Sequence, residues 1–266
     1  MTEVDDFIHW AERIRRSRHT IARYKAVLSQ FPDPPRATRD EVEAWWETRA
    51  HLAPASQENE LACLRTFYKW ATRFDVRPDD PTRRIDVPKV DNAYPRPIGR
   101  SELARALEVC DERGAADLRR AVALGAYGGL RVSEAAALTW KGVDLEKRML
   151  RFRGKGSKER LSALSPRLLD EILPDLEPDV NVITGLKGKE YSADTLQRRV
   201  NRLLGSVTEG LTFHKLRARY VTQAIADTGD IFNVAKAVGW ASIETAQHYA
   251  EVSNDALHRI AAAASR

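Results

Sequence analysis

Apolar side chains recur at three-to-four spacing over residues 5–16 and 20–31, with Ile21, Tyr24, Val27, Leu28 and Phe31 marking the second stripe. That period predicts two amphipathic helices. Thr38 and Glu41 have the spacing of a capping box and open a third, carrying Val42, Trp45 and Trp46. Ser56 is placed to cap a fourth, whose apolar face takes Leu61, Leu64, Phe67, Tyr68 and Ala71. Four short helices make a bundle, in which Trp45, Trp46 and Trp70 read as packing residues. From Arg77 to Pro97 the pattern lapses, and Pro78, Pro81, Pro88, Pro95 and Pro97 alternate with charges. Proline removes donors and pushes its predecessor out of the helical region, so this stretch reads as an extended seam. It separates a unit over 1–88 from a larger one over 98–266, with 89–97 as the linker.

The larger unit mixes periods. Ser101–Cys110 and Asp117–Tyr127 read as helices. Met149–Arg153 and Glu159–Leu164 are two short apolar runs around the connector Gly154-Lys155-Gly156-Ser157-Lys158, which predicts a β-hairpin. Helical patterns follow at about 166–173, 193–204, 214–227, 231–238, 242–249 and 254–263. The fold class expected is mainly α with a small β-sheet, an α+β chain of two domains.

Composition adds a partner class. Lys and Arg total 43 against 38 Asp and Glu, and residues 1–94 hold 16 of each sign, so the formal +5 lies in the remainder. A basic excess confined to one part suits a polyanion. No run of about 18 apolar residues is present, so no membrane span or membrane partner is expected. The acidic start Thr2-Glu3-Val4-Asp5-Asp6 lacks the apolar core of a signal peptide, and a cytoplasmic location is expected. Cys63 and Cys110 show no metal spacing and read as small buried hydrophobes.

The candidate chemistry is cationic. Arg131 follows Gly128-Gly129, which can end a helix in a left-handed turn and present what comes next. Glu134, three positions on, can orient the guanidinium through a charge-assisted bond. Lys155 sits at the tip of the hairpin, with Lys158 and Arg160 adding charge nearby. The turn returns into a strand, unlike a nucleotide-binding loop that closes on a helix. His214 and Arg217 are three apart on a predicted helix and share one face. Trp240 follows Gly239, and Tyr249 lies beyond it. Two arginines, a lysine, a histidine and an indole can hold a phosphodiester while a phenol attacks its phosphorus. No acidic cluster with metal-ligand spacing accompanies them, so no metal or other cofactor is expected.

In this order the motifs resemble the tyrosine recombinases, also called phage integrases: Gly-Leu-Arg131-Val-Ser-Glu134, Arg-Gly-Lys155-Gly-Ser-Lys-Glu-Arg, His214-Lys-Leu-Arg217, Gly-Trp240 and His-Tyr249. The likeness is close over about 98–260. Residues 1–90 resemble, less specifically, the helical (SAM-like) core-binding domain of that family. The resemblance implies catalytic roles for Arg131, Lys155, His214, Arg217, Trp240 and Tyr249, with Glu134 behind them. It implies site-specific strand exchange through a 3′-phosphotyrosyl link and a four-way junction, without ATP or metal. The partners implied are double-stranded DNA with inverted-repeat core sites and further copies of the chain. The copies would form a cyclic tetramer on DNA through a C-terminal helix bearing Ala256, Leu257, Ile260, Ala261 and Ala264.

Two departures shape the expected role. Trp240 stands where many members, including the Xer branch, have a second histidine, and Ala218 stands where many have histidine after His-x-Leu-Arg. With no additional arm-binding domain ahead of the helical unit, a simple integrase of a phage or mobile element is expected. An Xer-like dimer resolvase, a type IB topoisomerase-like nicking enzyme and a non-catalytic DNA-binding regulator are the alternatives. On the N-terminal helices, Arg23, Lys25, Arg65 and Lys69 are candidate DNA contacts, with Gln57 and Asn59 as candidate base readers, joined from the hairpin by Lys158 and Arg160.

Overall fold

A computed structural model of the protein describes residues 2–86, 96–154, 159–172, 180–185 and 188–240. The chain divides into two units, Met1–Asn92 and Ala93–Arg266.

The first unit holds α1 (Glu3–Arg13), α2 (Arg18–Leu28), α3 (Arg39–Glu47) and α4 (Pro54–Arg73). Side chains close three of their N-termini: Thr2 with Asp5, Ser17, and Thr38 with Glu41, as the Thr-x-x-Glu spacing predicts. The fourth differs from expectation. Helix α4 starts at Pro54, before Ser56, because proline at the first helical position needs no hydrogen-bond partner for its nitrogen. The core is aromatic. Phe7 is fully buried, with its ring centroid 5.1 Å from Tyr24, 5.2 Å from Phe67 and 5.4 Å from Trp70. The Trp45 indole donates to Gln30 at 2.8 Å, so the tryptophans of this unit pack as expected.

The proline-rich seam is not extended throughout. Residues 77–86 belong to the first unit's body: Thr82 and Ile85 are buried there. Arg77 donates to the carbonyls of Pro35 and Ala37 and lies 5.0 Å over the Tyr68 ring. The prolines at 78 and 81 shape turns within the unit. Linker residues 89–95 lie outside the described residues.

The second unit contains α5 (Arg100–Glu112), α6 (Ala116–Gly128), α7 (Val132–Ala137), strands β1 (Val143–Asp144), β2 (Met149–Arg153) and β3 (Glu159–Ala163), then α8 (Pro166–Ile172), α9 (Ala193–Val207), α10 (Phe213–Thr228) and α11 (Ile231–Ala237). The strands form an antiparallel sheet in the order β1-β2-β3, with Phe152 opposite Arg160 and Leu150 opposite Ser162. The hairpin is as predicted; β1 and α7 were too short for periodicity to reveal. Both cysteines are buried, and burial pushes the Cys110 thiol up to about 12. The helices predicted at 242–249 and 254–263 lie outside the described residues. Among the described residues no helix is long and apolar enough to cross a membrane.

Helix α6 is the spine of this unit. Its Leu118, Val122, Ala123 and Leu124 are buried in one cluster with Phe213 and Leu216 of α10. A Cβ at Gly125 would meet the Leu216 Cβ at 3.0 Å, so glycine lets the two helices approach closely. That contact brings Arg217, the next residue along α10, against the end of α6.

Candidate active site

The site forms where α6, α7, α10, α11 and β3 meet, around one carboxylate. Gly129 ends α6 with φ +64, the left-handed cap that Gly128-Gly129 predicts, and the chain then turns into α7. Arg131 is the residue just before α7. Its backbone N–H donates to Glu134 Oε2 at 2.7 Å, and its Nη1 donates to Glu134 Oε1 at 3.0 Å. Glu134 therefore caps its own helix and holds the arginine at once. Its side chain is 2% exposed, against 33% for Arg131, so the acid lies beneath and the guanidinium above.

Two more guanidiniums share that acid. Arg217 has Nη1 3.7 Å from Glu134 Oε2. It also donates to the carbonyl of Gly129 through Nη1 and to that of Val238 through Nη2, the latter at 2.5 Å. Its side chain is 4% exposed, and the two carbonyls fix the plane of the fork. Arg160 donates to Glu134 Oε1 at 2.5 Å and to the Ala237 carbonyl at 2.7 Å. One carboxylate against three guanidiniums leaves a net positive centre. A buried charge is tolerable only with such partners, and the surplus makes the pocket receptive to an anion.

His214 lies in the first turn of α10. The Phe213 N–H beside it is taken by Asn201 of α9 at 2.8 Å, which closes that helix start. The imidazole is held below its ordinary pKa. Partial desolvation is the main cause, and the guanidiniums of Arg217 and Arg131 add repulsion. His214 therefore stands near both arginines, whose charge disfavours its protonated form. An NMR titration should place its midpoint below about 6.5, the ordinary histidine value; a midpoint at or above that value would contradict the arrangement. The folded state binds fewer protons than the unfolded chain between the two values. This group's contribution to stability is therefore complete above about 6.5 and declines as pH falls through that window.

Trp240 follows Gly239, which has φ +64 and reverses the chain after α11. The Trp240 backbone N–H donates to the Ala235 carbonyl at 3.0 Å, and its ring packs against the cluster of Ala218, Val221, Val234 and Val238. Ala218, the departure noted above, is a fully buried part of that cluster. Arg131 Nη2 donates to the Gly239 carbonyl at 3.4 Å. Of the predicted catalytic positions, Arg131 and Arg217 meet on Glu134 and His214 lies near both, while Trp240 follows Gly239, whose carbonyl Arg131 reaches across 108 positions of sequence. Lys155, Lys158 and Tyr249 lie outside the described residues.

The candidate DNA contacts divide. Arg23, Lys25, Asn59 and Lys69 are exposed on α2 and α4. Arg23 donates to Asn59 at 3.4 Å, so these two form one polar patch. Gln57 does not fit the expected base-reading role: it is buried, and its amide donates to the Leu52 carbonyl at 2.8 Å, fastening the loop before α4. Arg65 is half-buried and donates to the Ile85 carbonyl at 2.7 Å. Arg160, expected on the DNA, is instead spent on Glu134 and Ala237, with its side chain 12% exposed. Strand alternation carried the missed signal. Arg160 and Ser162 share a face with buried Leu150 and Phe152, whereas Leu161 points out and is 51% exposed.

Comparison with known proteins identifies the family. The family model described as the phage integrase family matches residues 98–255. Tyrosine recombinase XerD of Xanthomonas axonopodis pv. citri (strain 306) is 31% identical over 238 residues, covering 81% of this chain and 77% of the relative. Tyrosine recombinase XerC of Myxococcus xanthus is 27% identical over 226 residues, covering 78% and 75%. Among solved structures, a lambda integrase (75-356) dimer bound to a COC' core site matches with a TM-score of 0.75. It is 16% identical and covers 91% of this chain and 95% of that one. The chain therefore belongs to the phage integrases, the tyrosine recombinases that cleave and rejoin DNA without ATP or metal.

Proposed function

We propose that this chain exchanges DNA strands at specific sites, with Tyr249 as nucleophile and a phage or mobile element as its setting. The observation that carries the reading is the set of guanidiniums held by Glu134, with Arg131 and Arg217 beside His214. Tyr249 attacks the scissile phosphorus and its phenolic proton passes to His214. The bond to the 5′ oxygen breaks as the 3′-phosphotyrosyl bond forms, and Lys155 protonates the departing oxygen. Arg131 and Arg217 hold the non-bridging oxygens where negative charge grows, and the Trp240 indole donates one more hydrogen bond. The covalent link conserves the phosphodiester bond energy. A 5′ hydroxyl from a second duplex then reverses the step, and two such exchanges pass through a four-way junction.

In this reading Arg23, Lys25, Asn59 and Lys69 contact double-stranded core sites arranged as inverted repeats, and Lys158 adds a phosphate contact from the hairpin. The copies close a cyclic tetramer through the C-terminal segment, in the cytoplasm. An Xer-type role in resolving chromosome dimers is the second reading. The names of the XerC and XerD relatives favour it, while Trp240 in place of histidine favours the first. The test mixes two labelled duplexes bearing the core site, selected from random-sequence DNA, and in parallel incubates the chain with supercoiled plasmid lacking the site. Recombinant duplexes without plasmid relaxation are expected; relaxation of arbitrary plasmid with no recombinants would instead make this a nicking topoisomerase.

A further inference from the structure

Arg160 touches three of the segments that lead into the site: α7, the end of α11 and the β2 side of the hairpin. Its Nη1 donates to the same Glu134 oxygen that receives Arg131, and its Nη2 donates to the carbonyl of Ala237, the last residue of α11. A Cβ at Gly239 would lie 2.6 Å from its Nε, and one at Gly154 would lie 2.6 Å from its Cδ. Glycines on both sides therefore let the backbone close on this side chain. Gly154 immediately precedes Lys155, and Gly239 immediately precedes Trp240. The guanidinium carbon lies 5.2 Å over the Phe152 ring, opposite it in the sheet. Such a side chain is clamped between the hairpin, Glu134 of α7 and the end of α11.

We infer that Arg160 is a positioning residue that joins the β2–β3 hairpin to Glu134 and to the carbonyl end of α11, and so sets Arg131 and the segments bearing Lys155 and Trp240 in register. This rests on the recombinase reading above. The planar fork is the essential feature: one plane serves a carboxylate and a carbonyl at once, which a single ammonium does not reproduce. Arg160 acts through its neighbours and makes no phosphate contact.

The experiment uses the full chain with Arg160→Lys and Arg160→Gln. Three quantities are read: thermal unfolding, the salt dependence of binding to a short random-sequence duplex, and single-turnover adduct formation on a nicked duplex bearing the selected core site. Positioning predicts cooperative unfolding close to wild type and an unchanged slope of log affinity against log salt. It also predicts adduct formation slowed by about a hundredfold, the scale of a misplaced reacting group, in Arg160→Lys as well as Arg160→Gln. A slope lowered by about one charge in Arg160→Gln and restored by lysine would make Arg160 a phosphate contact and overturn the inference. So would adduct formation near the wild-type rate, or loss of the fold in both variants, which would make it a core residue only. If the wild-type chain itself forms no adduct, the recombinase reading falls first and the inference with it.

Discussion

Replacing Tyr249 by phenylalanine should remove the covalent protein–DNA adduct and leave DNA binding close to wild type. The two side chains differ by one oxygen, so packing is nearly conserved while the nucleophile is lost. A phenol ordinarily titrates near pH 10 and is a poor nucleophile at neutrality. In the proposed reading the net positive centre with Arg131 and Arg217 would favour the phenolate, and His214, whose protonated form those guanidiniums disfavour, would take its proton. A suicide substrate with a nick beside the cleavage position traps the linked product, and a denaturing gel reads it. Binding retained with the adduct lost is the expected result. An adduct at wild-type yield in Tyr249→Phe removes the tyrosine from the reaction.

Arg217→Lys should slow cleavage by about 10²–10³-fold, the scale for removing one preorganised donor from a developing oxyanion. Charge is retained in this variant; geometry is not. Arg217 is fixed by the carbonyls of Gly129 and Val238 and by Glu134 3.7 Å away. An ammonium cannot reach all of these and a phosphate oxygen together. Leaving a buried carbonyl unsatisfied should also destabilise the fold by about 1–3 kcal/mol, which thermal unfolding detects. Single-turnover cleavage within threefold of wild type would show that the fork takes no part in the transition state.

Local rules carried much of this fold into the sequence. Thr38 and Glu41 announced a helix start, and Gly129 announced the turn that presents Arg131. The hairpin showed as two apolar runs around a glycine connector. The misses share a cause: tertiary packing decided them. Arg77 lies in a proline-rich stretch, yet carbonyls from Pro35 and Ala37, some 40 positions away in sequence, hold it to the bundle. Gln57 looked like a solvent-facing amide until the loop carbonyl of Leu52 took it. Arg160 looked like one more surface cation because Leu161 beside it carried the apolar signal. The sheet inverts that expectation by burying the charge against Glu134 and exposing the leucine. The three-residue spacing already pointed to Glu134 as the acid behind Arg131, but it could not show that Arg160 and Arg217 share it.

In the proposed reaction one phenol, at position 249, becomes bonded to DNA at this cationic centre. The direct measurement is to trap the adduct with the wild-type chain, digest protein and DNA, and identify the linked peptide by mass spectrometry. The account predicts a nucleotide joined through its 3′ phosphate to the peptide containing Tyr249. A nucleotide on any other residue, or a link through a 5′ phosphate, would contradict it.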